Sequence, residues 1–197
     1  MKQILIAGAG ALGSQVVTML AADMRDLDIT VIDFDTVESR NTQAGTQFYY
    51  PDQIGLPKVE ALQYNIFKLL NGRRINVVNE KITPTNVKRV LAAYPSLQVD
   101  CLDNRESRQI VKQTALDYNI PCLHSGFSPN MTFVVEWNEK YKVPDDNLSG
   151  FDICEAEGAA SFIKLVASVT SSTIQEFLKN GKKLEFVGNR FLVRGII

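Results

Sequence analysis

The first 33 residues constrain this chain more than any other stretch. Gln3-Ile4-Leu5-Ile6-Ala7 is a short, apolar, β-branched run, as expected of a parallel strand buried on both faces. Gly8-Ala9-Gly10-Ala11-Leu12-Gly13-Ser14 follows. Helix formers then run from Gln15 to Ala22, with Val16, Val17, Leu20 and Ala21 on one face. Asp28 to Asp33 reads as a second strand. Strand, glycine turn, helix and strand within about 30 residues make a βαβ unit with a right-handed crossover. Its glycines have separate duties. Gly8 permits the tight turn, Gly10 lets the backbone approach a phosphate, and Gly13 lets helix and strand pack closely. The helix N-terminus offers free N–H groups and a positive dipole end to an anion. Asp33 stands about 20 residues further on, where an acid accepts ribose hydroxyls. The set predicts a nucleotide site.

The rest of the chain continues the alternation. Residues 35–57 are polar, with no clear period, and a stretch this long inside a compact domain is functional or partly helical. Lys58 to Leu70 has helical spacing, and Gly72 stops it. Strands are expected at 74–78, 98–102 and 121–124, and helices at 83–93 and 106–118. Met131 to Trp137 alternates and reads as an antiparallel extension. Residues 138–152 form a polar loop, the best candidate for a mobile segment. A long helix over 156–179 ends at Asn180-Gly181, and 184–193 reads as a hairpin with Gly188-Asn189 near its turn. The fold class is α/β: a Rossmann-like, mostly parallel sheet with helices on both faces and a terminal antiparallel extension. Ligands bind beyond the carboxyl ends of such strands. The glycine turn, Asp33 and Asp103 all fall on that rim.

Composition narrows the chemistry. With 197 residues, the chain suits a single domain spanning 1–197. Lys and Arg number 21 against 22 Asp and Glu, which does not suit a duplex-binding protein. No stretch approaches the roughly 18 apolar residues a membrane span needs. The reading is therefore no nucleic acid, no membrane. Three cysteines, Cys101, Cys122 and Cys154, give no paired motif for a zinc ribbon, and an odd count fits a reducing cytoplasm. His124 is the only histidine, so a Ser-His-Asp triad would have to use it. An enzyme with this composition should need neither a histidine base nor zinc.

Further motifs separate this chain from dehydrogenases. Asp33-Phe34-Asp35-Thr36-Val37-Glu38, Asn41, Phe48, Asp52 and Ile54-Gly55-Leu56-Pro57-Lys58 come in order. Asp100-Cys101-Leu102-Asp103-Asn104 follows, with Arg105 and Arg108, and then Asp152-Ile153-Cys154-Glu155-Ala156-Glu157-Gly158. The ordered set resembles the ThiF/MoeB/HesA family, relatives of the ubiquitin-activating enzymes, from residue 2 to about 185. The resemblance implies ATP-dependent adenylation of the C-terminal glycine carboxylate of a small ubiquitin-like or sulfur-carrier protein, with ATP and Mg²⁺ as cofactors. It places Mg²⁺ on Asp103, the triphosphate on Lys58, and Asn41, Asn104, Asp33 and Asp35 beside the nucleotide. In some relatives a cysteine at the place of Cys154 bonds covalently to the carrier. Flanking acids raise a thiol's pKa, which counts against an activated Cys154. Members usually form two-fold dimers, and the apolar face of the last helix would suit a homodimer.

There are departures. The family's Arg-Gln pair falls at Ala44-Gly45, and the arginine is absent. Arg40 is the nearby candidate to replace it, in a different register. Losing a phosphate-binding arginine removes a charge-assisted contact. Two other readings therefore stay open: a non-catalytic nucleotide-binding module and an NAD-dependent oxidoreductase. Arg105 and Arg108 have surface charge as an ordinary explanation, and Cys101 and Cys122 are expected to be buried thiols.

Overall fold

The computed structural model describes residues 2–43, 45–91, 96–145 and 153–196. β1 (Gln3–Ala7), β2 (Asp28–Ile32), β3 (Asn76–Val78), β4 (Leu97–Asp100) and β5 (Cys122–Phe127) are parallel neighbours in the order β3-β2-β1-β4-β5. Their apolar runs are buried: Ile4, Leu5, Ile6, Val31, Leu97 and Val99 are at most 1% exposed. β6 (Thr132–Trp137), β7 (Phe186–Asn189) and β8 (Leu192–Gly195) extend the sheet antiparallel beyond β5. The expected mostly parallel sheet with an antiparallel extension is what forms.

Helices cover both faces. α1 (Ala11–Asp23), α2 (Lys58–Leu69) and α5 (Ala159–Asn180) share the larger core with one face of the sheet. α3 (Val87–Leu91) and α4 (Arg105–Asp117) close the smaller core on the other. α5 ends at Gly181, whose φ of +71° is the left-handed cap that glycine adopts without a Cβ clash.

Phe162, Ile163, Val166, Ile174 and Leu178 of α5 are buried within this chain, much of that against α1. The apolar face expected to favour a subunit contact is thus occupied internally. Two 3-10 turns, Ser39–Thr42 and Pro51–Gln53, account for the partly helical reading of 35–57. Of the segment 138–152 expected to be mobile, 146–152 lie outside the described residues, as do Ala44 and the last two residues, 92–93, of the helix expected over 83–93. Among the described residues, no helix is long and apolar enough to cross a membrane.

Candidate functional site

A cleft of about 1140 Å³ opens beyond the carboxyl ends of β1, β2, β4 and β5. It brings together Gly8, Gly10, Asp33, Asp35, Arg40, Asn41, Lys58, Asp103, Asn104 and Cys154. Of the residues expected at the site, only Gly13 stands behind it. A Cβ there would lie 1.9 Å from the Gly8 carbonyl oxygen, so Gly13 permits the turn to fold against its own helix. Gly8 has φ +100°, and its Cβ would meet the Cys101 carbonyl oxygen at 2.8 Å. Gly10 differs. A Cβ on it would meet no protein atom within 4 Å, so what its missing side chain leaves open is cleft.

The glycine turn is clamped from two sides. Asp33 Oδ2 accepts the Ala9 N–H at 2.7 Å, and Oδ1 accepts the Asp35 N–H at 2.8 Å. The buried Tyr49 hydroxyl donates to the Ala9 carbonyl at 2.5 Å. Burial pushes the Asp33 carboxyl above its ordinary value, while the two N–H donors and Lys58 pull it back. Tyr49 escaped the sequence reading because its partner lies 40 residues away. Gln47 also lines the cleft, and its buried side-chain carbonyl has no hydrogen-bond partner among the described residues. A buried acceptor left unpaired is costly, so it fits a ligand that brings a donor.

Lys58 opens α2, where a cation opposes the helix dipole. Asp35 explains its place: Lys58 Nζ donates to Asp35 Oδ2 at 2.8 Å, and the Lys58 N–H donates to the Asp35 carbonyl. Arg40 is exposed and pairs with Glu38 at 2.7 Å on the lip of the cleft. Asn41 is buried and accepts the Glu38 N–H, closing the reciprocal cap of the 3-10 turn. Gly45 takes φ +62°, which suits glycine better than the family's glutamine.

Asp103 follows β4 and is exposed to the cleft. Asn104 caps α4, accepting the Ser107 N–H at 2.9 Å. Among the described residues no three His, Cys, Asp or Glu side chains gather as a metal cluster. One protein carboxylate fits Mg²⁺, which keeps waters and takes phosphate oxygens, and does not suit zinc. Cys154 is half-buried in the short turn Ile153–Glu155 and reaches the same cleft. Cys101 corrects an expectation: it is half-buried and lines the cleft, whereas Cys122 is fully buried as anticipated. Burial raises both thiols well above the ordinary cysteine value, so neither is an activated thiolate.

Arg108, for which surface charge was the ordinary alternative, is buried. Its Nη1 lies 2.5 Å from the Tyr141 hydroxyl and 3.7 Å from Asp100 Oδ2. His124 Nδ1 contacts the same Asp100 oxygen at 2.7 Å, and its Nε2 contacts Asn138 Oδ1 at 2.7 Å. The His124 and Tyr141 rings stack at 3.9 Å. Burial alone would raise the Asp100 carboxyl. Arg108, the His124 hydrogen bond and the Leu102 N–H outweigh it and hold the group below the usual carboxylate range. His124 is therefore no triad base: Ser125 Oγ bonds Thr170 Oγ1 instead, at 2.7 Å.

Comparisons with known proteins identify the family and the fold. The ThiF family model matches residues 1–194. "Adenylyltransferase and sulfurtransferase UBA4" of Yarrowia lipolytica is 32% identical over 120 residues, covering 61% of this chain and 29% of that protein. "Ubiquitin-like modifier-activating enzyme 5" of Caenorhabditis elegans is 26% identical over 213 residues, covering 95% of this chain and 50% of that protein. The chain thus spans half or less of these curated relatives. A crystal structure of E. coli MccB with AMPCPP and MccA superposes with a TM-score of 0.75 at 17% identity, over 99% of this chain and 62% of that one. E. coli tRNA N6-threonylcarbamoyladenosine dehydratase with AMP gives 0.59 at 26% identity, over 68% and 57%.

Proposed function

Because the chain belongs to the ThiF family, we propose that it uses ATP to adenylate the C-terminal glycine carboxylate of a small ubiquitin-like or sulfur-carrier protein. One observation carries this reading: the glycine turn, Asp33, Lys58 and Asp103 converge on one cleft. The names of its relatives, and the AMPCPP and AMP bound in its structural neighbours, support the same class.

The chemistry suits the residues. An ionised carboxylate attacks the α-phosphorus with no general base. A carboxylate oxygen–phosphorus bond forms, the bond to the pyrophosphate oxygen breaks, and pyrophosphate leaves. Such a step needs placement and charge neutralisation. Asp33 receives the ribose while still holding the turn, since an ionised carboxylate has lone pairs for further donors. Asp35, its neighbour, contributes on the ribose side and holds Lys58. The α1 N-terminus and the Gly10 backbone receive phosphate oxygens. Lys58 turns part of its charge from Asp35 toward the phosphates. Mg²⁺, held by Asp103, would add charge neutralisation there. Asn41 and Asn104 fix the two loops that border the nucleotide, and Arg40 stands at the entrance as the replacement cation. Cys154, which lines the cleft, takes the adenylated carrier as a thioester: its sulfur bonds the carbonyl carbon and AMP leaves. A cytoplasmic homodimer belongs to the same proposal, the dimer now resting on the family pattern rather than on α5.

The test is ATP–pyrophosphate exchange driven by a purified carrier ending in Gly-Gly. Asp103→Ala should lower it by at least about a hundredfold. No exchange with the genuine carrier would sink the proposal. Cys154→Ser should still form adenylate and lose a conjugate that thiol reductants cleave. Unchanged transfer in that variant removes Cys154 from the mechanism. A second reading, a nucleotide-binding module without catalysis, is favoured by the missing arginine and by the commitment of Lys58 to Asp35. Tight ATP binding with no adenylate by mass spectrometry would select it.

A further inference from the structure

Arg108 is a buried cation with donors left over. Among the described residues, its side-chain polar contacts run through Nη1, to the Tyr141 hydroxyl and, at 3.7 Å, to Asp100. Asp100 is otherwise engaged. Its Oδ2 takes His124 at 2.7 Å and its Oδ1 takes the Leu102 N–H at 2.9 Å. Nη2 lies over β5, where a Cβ on Gly126 would come within 2.9 Å of it. Arg108 and Gly126 both line the cleft. A guanidinium placed this way lacks a full set of acceptors among the described residues and is suited to an anion entering from the cleft.

The sheet order indicates which anion. Read across β2-β1-β4-β5, the rim presents Asp33, then the glycine turn, then Asp103, then Gly126 with Arg108 against it. A nucleotide with its ribose at Asp33 and its phosphates at the glycine turn points its reacting end toward β4 and β5. The attacking group must approach the α-phosphorus opposite the leaving pyrophosphate; with the pyrophosphate drawn to Lys58, which pairs with Asp35 just after β2, the acceptor arrives from the β4–β5 side, where Arg108 lies. We propose that Arg108 binds the acceptor's terminal carboxylate, and that Asp100, His124, Asn138 and Tyr141 are positioning residues that hold its guanidinium. This rests on the adenylation reading for the direction of the nucleotide. The frame is stiff: His124 bridges Asp100 and Asn138, and its stacking on Tyr141 sets the hydroxyl that grips Nη1.

The experiment uses the full chain saturated with AMPCPP and a synthetic hexapeptide ending in Gly-Gly, as free acid and as C-terminal amide, with calorimetry as readout. Wild type should bind the acid and discriminate against the amide. Arg108→Ala should weaken acid binding at least about tenfold and remove the discrimination. Arg108→Lys should recover part of it. Tyr141→Phe keeps the stacked ring and loses the grip, so it should weaken the acid about threefold or more. AMPCPP affinity should stay within about twofold throughout, which a merely folding-related defect would not respect. Acid binding that is absent in wild type, or equal in wild type and Arg108→Ala, overturns the assignment. So does a loss of AMPCPP affinity with peptide binding intact, which would give Arg108 to the phosphates. Arg108-dependent binding of the acid by a chain that binds no ATP would instead keep this site and discard adenylation.

Discussion

Three glycines of one turn have three different reasons to be glycine, and substitution separates them. Gly13→Ala forces a Cβ to within 1.9 Å of a carbonyl oxygen, so turn or helix must move. It should lower stability by about 2–3 kcal/mol, read from the urea midpoint. Gly10 has φ −74°, open to any residue, and no protein atom within 4 Å of its virtual Cβ. Gly10→Ala should therefore cost under about 1 kcal/mol in stability and weaken ATP roughly tenfold or more by filling the phosphate cradle. Equal ATP affinity in wild type and Gly10→Ala would place the phosphates elsewhere. The duties of Gly8 and Gly13 were legible in sequence because turn, strand and helix are contiguous there. The role of Arg108 was not. Its frame comes from β4, β5 and residues 138 and 141, and only the Asn104–Arg108 spacing is local.

Among elements, α2 shows how a helix tolerates an unfavourable charge. Lys58 in its first turn opposes the dipole, and Asp35 offsets this through an ion pair of which the lysine side chain is 10% and the carboxylate 47% exposed. Lys58→Ala loses the pair and relieves the dipole together. The variant should unfold within about 1 kcal/mol of wild type, while pyrophosphate exchange falls on the order of a hundredfold. A large loss of stability with exchange intact would make Lys58 a structural residue.

The terminal hairpin was legible in outline but not in its packing. Gly188-Asn189 was expected near the turn, and both end β7 just before the chain reverses at Arg190-Phe191. A Cβ at Gly188 would sit 2.2 Å from the Leu192 carbonyl oxygen and 2.7 Å from the Phe133 ring, so this glycine admits neighbours across strands. Cross-strand crowding of that kind has no local signal. The parallel strands did, because a strand covered on both faces is apolar throughout.

The molecule as a whole is tied together at Asp100, where β4, α4, β5 and the segment after β6 meet. Its carboxyl lies below the ordinary value in the folded chain. A carboxylate of that kind contributes stability in full above its unfolded pKa of about 4. The contribution is lost as pH falls through the folded value. Acid unfolding followed by the fluorescence of Trp137 should therefore be steep below about pH 4. Asp100→Asn should be less stable at neutral pH and flatter in acid. An unchanged acid limb would remove Asp100 from the balance.

The same junction holds the chain's one histidine. Its ring carbon-bound protons are therefore a pair of resonances with no others of their kind in the spectrum. They sit against Tyr141, whose hydroxyl touches Arg108. Whatever settles in the cleft on that side will be reported, without any label, by a signal that needs no assignment.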